Sequence, residues 1–110
     1  MRPSRIAPMN RRLTLQAPQE TDDGAGGMTL AWRDVATLWA AIRPHAAAEG
    51  LWASQPAARL SSEITIRYRD DVWPEMRFVS ASGRLFDIRA AFDPDGSRRR
   101  LVCLCGEEPL

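Results

Sequence analysis

The chain has 110 residues, a length that holds one folded domain and no second core. Its 45% apolar and 26% charged residues are the composition of a globular protein and argue against wholesale disorder. Its 15 basic and 14 acidic residues leave a formal charge of +1, which disfavours a protein that lives by gripping nucleic acid, because phosphate neutralisation needs a basic excess.

Residues 1–9 carry two arginines but no apolar stretch behind them, so they read as a loose leader and not as a signal peptide. The domain is expected over residues 10–107, with 108–110 as a short tail. From Asn10 to Ala17 the residues alternate, Leu13, Leu15 and Ala17 on one side and Arg12, Thr14 and Gln16 on the other, the period of a half-buried strand. Pro18 is expected to end it, since proline cannot donate to a ladder. Residues 19–27, with Thr21, Asp22, Asp23, Gly24, Gly26 and Gly27, read as a flexible loop joining the two strands of a long hairpin. A phosphate cradle or a calcium loop is excluded there: no Gly-Lys-Ser/Thr ending follows and no Glu stands at the calcium-loop position.

Residues 28–44 hold Trp32, Val35, Leu38, Trp39 and Ile42 and predict one long strand, bent or bulged so that it meets the core on more than one face. Residues 45–60 are rich in Ala, with Glu49, Leu51 and Trp52, but Gly50 and Pro56 interrupt them; a short or broken helical excursion is expected, its large apolar side chains packed on the sheet. Ser62 to Arg69 is the cleanest strand, Ile64, Ile66 and Tyr68 facing one way. After a turn marked by Asp70, Asp71 and Pro74, a strand begins around Met76, Phe78 and Val79, and Ala81-Ser82-Gly83 makes a tight turn. Arg84 to Phe92 alternates with Phe86, Ile88, Ala90 and Phe92 inward, and Asp93-Pro94-Asp95-Gly96 turns the chain again. Arg98 to Gly106 is apolar on both faces and should be central or covered. Six strands and one helical interruption predict a mainly β fold, a small six-stranded barrel or sandwich with a short helix or helical excursion between the second and third strands.

The search for chemistry returns little. One histidine, His45, provides no pair at metal-ligand spacing, and it reads as a surface residue at a strand end. Cys103 and Cys105 lie two apart on a strand and point the same way; such neighbours rarely meet disulfide geometry, so both read as reduced core residues. The carboxylates Asp22, Asp23, Asp70, Asp71, Asp93 and Asp95 fall at turns, where Asp bonds its own backbone. No nucleophile stands beside a base, so no catalytic, cofactor or metal residues are assigned and the chain is not expected to be an enzyme. The run Arg98-Arg99-Arg100 splits across two strand faces and reads as a solvated strand entry. Every basic residue is Arg, which suits interfaces through its planar fork of donors, but a GC-rich genome that encodes Arg in place of Lys is the preferred account.

Several blocks in order resemble the phage head-tail joining family. They are Asn10-Arg11-Arg12-Leu13-Thr14-Leu15-Gln16, the Asp23-Gly24-Ala25-Gly26-Gly27 loop, and the stretch from Trp32 to Ala40. Further on come Ile64-Thr65-Ile66-Arg67-Tyr68-Arg69, Arg84-Leu85-Phe86-Asp87-Ile88-Arg89 and Asp93-Pro94 with the closing strand. Members often carry a longer, Gln-rich helical stretch where this chain has residues 45–61. The resemblance implies a head-closure or stopper protein of a phage or phage-derived gene-transfer particle, assembled in the bacterial cytoplasm and placed at the head-tail interface. It implies a homo-oligomeric ring below the portal and its adaptor, retaining packaged DNA and docking tail proteins, with double-stranded DNA passing through without tight binding. No cofactor, membrane or small-molecule substrate is implied. A near-neutral charge suits such a channel, because many phosphate contacts would act as a brake. Docking falls by position on the 19–27 loop and the 45–60 excursion, with Asp22, Asp23, Gly24, Gly26, His45, Glu49, Leu51 and Trp52 as candidates. The rivals are a free-standing small barrel that binds a peptide or single-stranded nucleic acid, and a neighbouring ring such as an adaptor or tail terminator.

Overall fold

The computed structural model describes residues 8–44 and 60–107. Six strands, β1 (Arg11–Asp22), β2 (Met28–Pro44), β3 (Leu60–Arg67), β4 (Arg77–Ser80), β5 (Leu85–Phe92) and β6 (Arg100–Glu107), close into a barrel in the order β1-β2-β3-β6-β5-β4. Every pairing is antiparallel, and β4 returns to β1 through Leu13↔Ser80 to Gln16↔Arg77. Closure removes the open edges that a flat sheet of this size would expose.

The interior follows from the alternation of the strands. Leu13 and Leu15 of β1, Ile64 and Ile66 of β3, Phe78 of β4, Phe86 and Ile88 of β5 and Cys103 and Cys105 of β6 meet in one buried cluster. Strand β6 is buried on both faces, with Val102 and Leu104 also inaccessible, as its unbroken apolar run requires. Residues 45–59, where the helical excursion is expected, lie outside the described residues, as do residues 1–7 of the leader and the tail.

Two bulges set which side chains the barrel shows. On β5, Ile88 pairs with Cys105 but Ala90 pairs with Leu104, so Arg89 is surplus. Side chains alternate with a period of two, so one surplus residue reverses every inward assignment after it. Ala91 therefore packs on the core, while Phe92, expected inward, stands 45% exposed. On β2, Leu15 pairs with Ala36 and Gln16 with Asp34, which leaves Val35 as the extra residue that bends the expected long strand.

Pro18 does not end β1. The strand runs on to Asp22 with Pro18 opposite Trp32, and the true loop is only residues 23–27. Beyond Gln16, β4 no longer pairs with β1, so Pro18 sits on an edge, where the missing N–H costs no ladder bond on that side. Arg98 likewise is not in the strand: it holds a φ of 60° in the turn, and its N–H donates to Asp93 Oδ2 at 2.8 Å.

Candidate functional site

Because Leu13, Leu15 and Ala17 point inward, their neighbours Arg12, Thr14, Gln16 and Pro18 face out. Their register partners are Trp39, Thr37, Asp34 and Trp32, and the row continues past the barrel as Glu20↔Leu30 and Asp22↔Met28. The Val35 bulge keeps Trp32 and Trp39 on this one outer face although they are seven positions apart.

Past Ala17 the ribbon leaves the barrel and becomes a two-stranded arm. Its outer face exposes Met28 (63%) and Leu30 (57%), and its other side carries Gln19, Thr21, Thr29 and Ala31, all exposed. The tip is built by carboxylates that bond backbone. Asp22 Oδ1 accepts from Gly24 N–H at 2.9 Å, and Asp23 Oδ1 accepts from Ala25 and Gly27 N–H at 2.8 and 3.1 Å. The bonds from Ala25 and then Gly27 hold the Asp23 carboxyl below its ordinary range. Gly24 and Gly26 take φ values of 82° and 85°, a region that side chains with a Cβ rarely enter. So Asp22, Asp23, Gly24 and Gly26 come together at the arm's end. His45, Glu49, Leu51 and Trp52 lie outside the described residues.

A polar brace fixes the arm's root. Gln16 Nε2 donates to Asp34 Oδ1 at 2.7 Å and Gln16 Oε1 accepts from Arg77 Nε at 2.8 Å, while the Arg77 guanidinium lies over the Trp32 ring at 4.0 Å. Beside it a groove of about 550 Å³ runs between Pro18, Leu30 and Trp32 on one side and Trp73 on the other, with Glu20 and Glu75 at its margins. Glu75 adopts a φ of 90°, unusual for any residue but glycine.

A second hollow, of about 510 Å³, is lined by Met9, Leu38, Trp39, Arg67, Tyr68 and Arg69. Trp39 is 52% exposed with Arg12 stacked over it at 4.8 Å, and Arg67 stands directly opposite Arg100 across the β3–β6 ladder. Arg69 is tied to Asp71 by two 2.9 Å bonds, which lower the Asp71 pKa and raise that of Arg69.

The hairpin was readable from its turn residues, but this Arg–Trp face and the Trp73 groove were not, because each joins residues distant in sequence. The two cysteines are free and buried, both pointing inward. Burial pushes the Cys103 thiol up to about 12 and that of Cys105 well above its ordinary value. Among the described residues no three of His, Cys, Asp and Glu are grouped to hold a metal ion.

The sequence matches the phage head completion protein family over residues 4–109. Among solved structures, it is similar to the solution structure of protein SF1141 from Shigella flexneri 2a. The two are 32% identical with a TM-score of 0.73, over 94% of this chain and 96% of that one. It is also similar to a chain in the virion of a native gene transfer agent particle, 26% identical with a TM-score of 0.65, over 99% of this chain and 98% of that one. No curated protein matches the chain.

Proposed function

The chain belongs to the phage head completion protein family, and on that premise we propose that it is a structural head-closure component of a phage or gene-transfer particle. Several copies form a ring beneath the portal and its adaptor, retain the packaged DNA and offer the tail its docking surface. The observation that carries this reading is the arm: a closed barrel sends out a two-stranded ribbon on which, among the described residues, Met28 and Leu30 stand 63% and 57% exposed. Such a ribbon contributes nothing to the barrel's core and suits a joint between subunits. The likeness to a chain of a gene transfer agent virion supports the same setting.

Electron microscopy of particles assembled without the gene tests the proposal. Tailless heads, many emptied of DNA, beside free tails are the expected result; normal tailed particles would overturn it. One observation favours a second reading. Trp39 beside Arg12, together with the exposed Phe92, gives aromatic and basic groups of the kind that stack on single-stranded nucleic acid. Salt-sensitive binding of an oligonucleotide by the isolated chain would promote it, although a net charge of +1 argues against it.

A further inference from the structure

We propose that the arm of one copy seats on the Arg12–Trp39–Arg67 face of the next copy, so that one chain carries both halves of the ring's repeating contact. This rests on the head-closure reading, for which it supplies the interface.

The two surfaces are complementary in charge. Between Pro18 and Trp32 the chain holds Glu20, Asp22 and Asp23 and no basic residue. The receiving face crosses four neighbouring strands as Arg12, Trp39, Arg67 and Arg100, three cations in a row around one exposed indole. Asp95 approaches Arg100 from its own turn, leaving Arg12 and Arg67 to face outward from the row. Arg67 stands directly opposite Arg100, a like-charge pair that Asp95 offsets at its Arg100 end. The acidic arm of a neighbour provides an anion for Arg67 and Arg12.

The surfaces are also complementary in shape and polarity. Met28 and Leu30 project from the arm beside its carboxylates, and the hollow next to Trp39 offers Leu38, Tyr68 and Met9. Tryptophan and arginine are the residues that most often anchor interfaces. Five arm residues per strand span roughly 17 Å, and four strands side by side span about 14 Å, so the arm lies across the whole row. A two-stranded ribbon is marginal alone in water, which gives the arm a reason to lean on a partner.

The arm and the face are different patches of one molecule, Leu30 lying about 30 Å from Trp39 along β2. A contact between them is heterologous, and such contacts repeat from copy to copy until a ring closes.

The native thiols are buried, so single engineered cysteines give a clean test. Particles are assembled with a Leu30→Cys/Arg67→Cys chain and treated with a short bismaleimide. A ladder of linked chains extending past the dimer is expected. Arm-to-arm links in the Leu30→Cys chain alone, a product that stops at the dimer, or no linkage in normally tailed particles would each overturn the interface. The head-closure reading would still stand in all three cases, because it fails separately, through normal particles from the gene deletion. In a second measurement, Glu20→Arg/Asp22→Arg should weaken self-association by about tenfold or more, and adding Arg12→Glu/Arg67→Glu in the same chain should restore it. Loss of DNA from heads with Arg67→Glu, while the arm reversal has no effect, would show that the face meets DNA and would sink the proposal.

Discussion

Arg77 of β4 covers the ring of Trp32 on β2, its guanidinium carbon 4.0 Å from the ring centroid, although the two strands are not neighbours in the ladder. Strand β1 lies between them, and Arg77 reaches over it while its Nε donates to Gln16. One side chain thereby ties the base of the arm to the wall of the barrel. Arg77→Ala removes a partly desolvated cation–π contact and a hydrogen bond, together about 1–2 kcal/mol. That loss should be local: amide exchange should speed up at Leu30 and Trp32 and stay slow along β6.

The β5 bulge gives two phenylalanines on one strand opposite fates. Phe86 is fully buried, and Phe86→Ala should cost about 3–5 kcal/mol by urea unfolding, close to the whole stability of a small domain. Phe92 lies beyond Arg89 and is half exposed, so Phe92→Ala should cost under about 1 kcal/mol.

Arg84 and Glu107 join β5's entry to the end of β6 by bonds of 2.7 and 2.8 Å. The Arg84 hydrogen bond holds the Glu107 carboxyl below its ordinary value of 4.5. A depressed acid stabilises the fold above its unfolded pKa, and that contribution disappears as pH falls through the folded value. Glu107→Gln should therefore lower stability at pH 7, by no more than about 1 kcal/mol for a pair this exposed to solvent. The difference from the parent should close as pH drops below 4.5, which paired urea titrations at pH 7 and pH 3 would reveal.

Both thiols should be silent to an aromatic disulfide reagent at pH 8 in the folded chain, because burial keeps them protonated and enclosed. Two equivalents should react after denaturation. Rapid labelling of the native chain would contradict the packing of β6.

The barrel was legible because its inward residues announce themselves by alternation, as Leu13, Leu15, Ile64 and Ile66 do, and because turns are spelled out by Asp, Pro and Gly. Each misplaced residue lies where that alternation lost its phase or its partner. The alternation of Arg84 to Phe92 puts Phe92 inward, because nothing in that stretch marks Arg89 as surplus. Pro18 reads as a stop in the sequence, yet β1 continues through it because its neighbour on the far side, β4, joins β1 only as far as Gln16, a fact of topology and not of local sequence. Asp22, Asp23, Gly24 and Gly26 were readable as a tip, being consecutive and of turn type. The face made by Arg12, Trp39 and Arg67 was not, since the closure of the sheet alone brings β1, β2 and β3 side by side.

Cys103 and Cys105 have a consequence for the lifetime of such a particle. Virus-like particles are made in reducing cytoplasm and then persist in oxygenated surroundings, where exposed thiols age into sulfenates or tether unrelated molecules. This chain's two thiols share one inward face and are sealed from solvent. A particle carrying such subunits would leave its host with their covalent chemistry unchanged and weather storage without new cross-links at these positions.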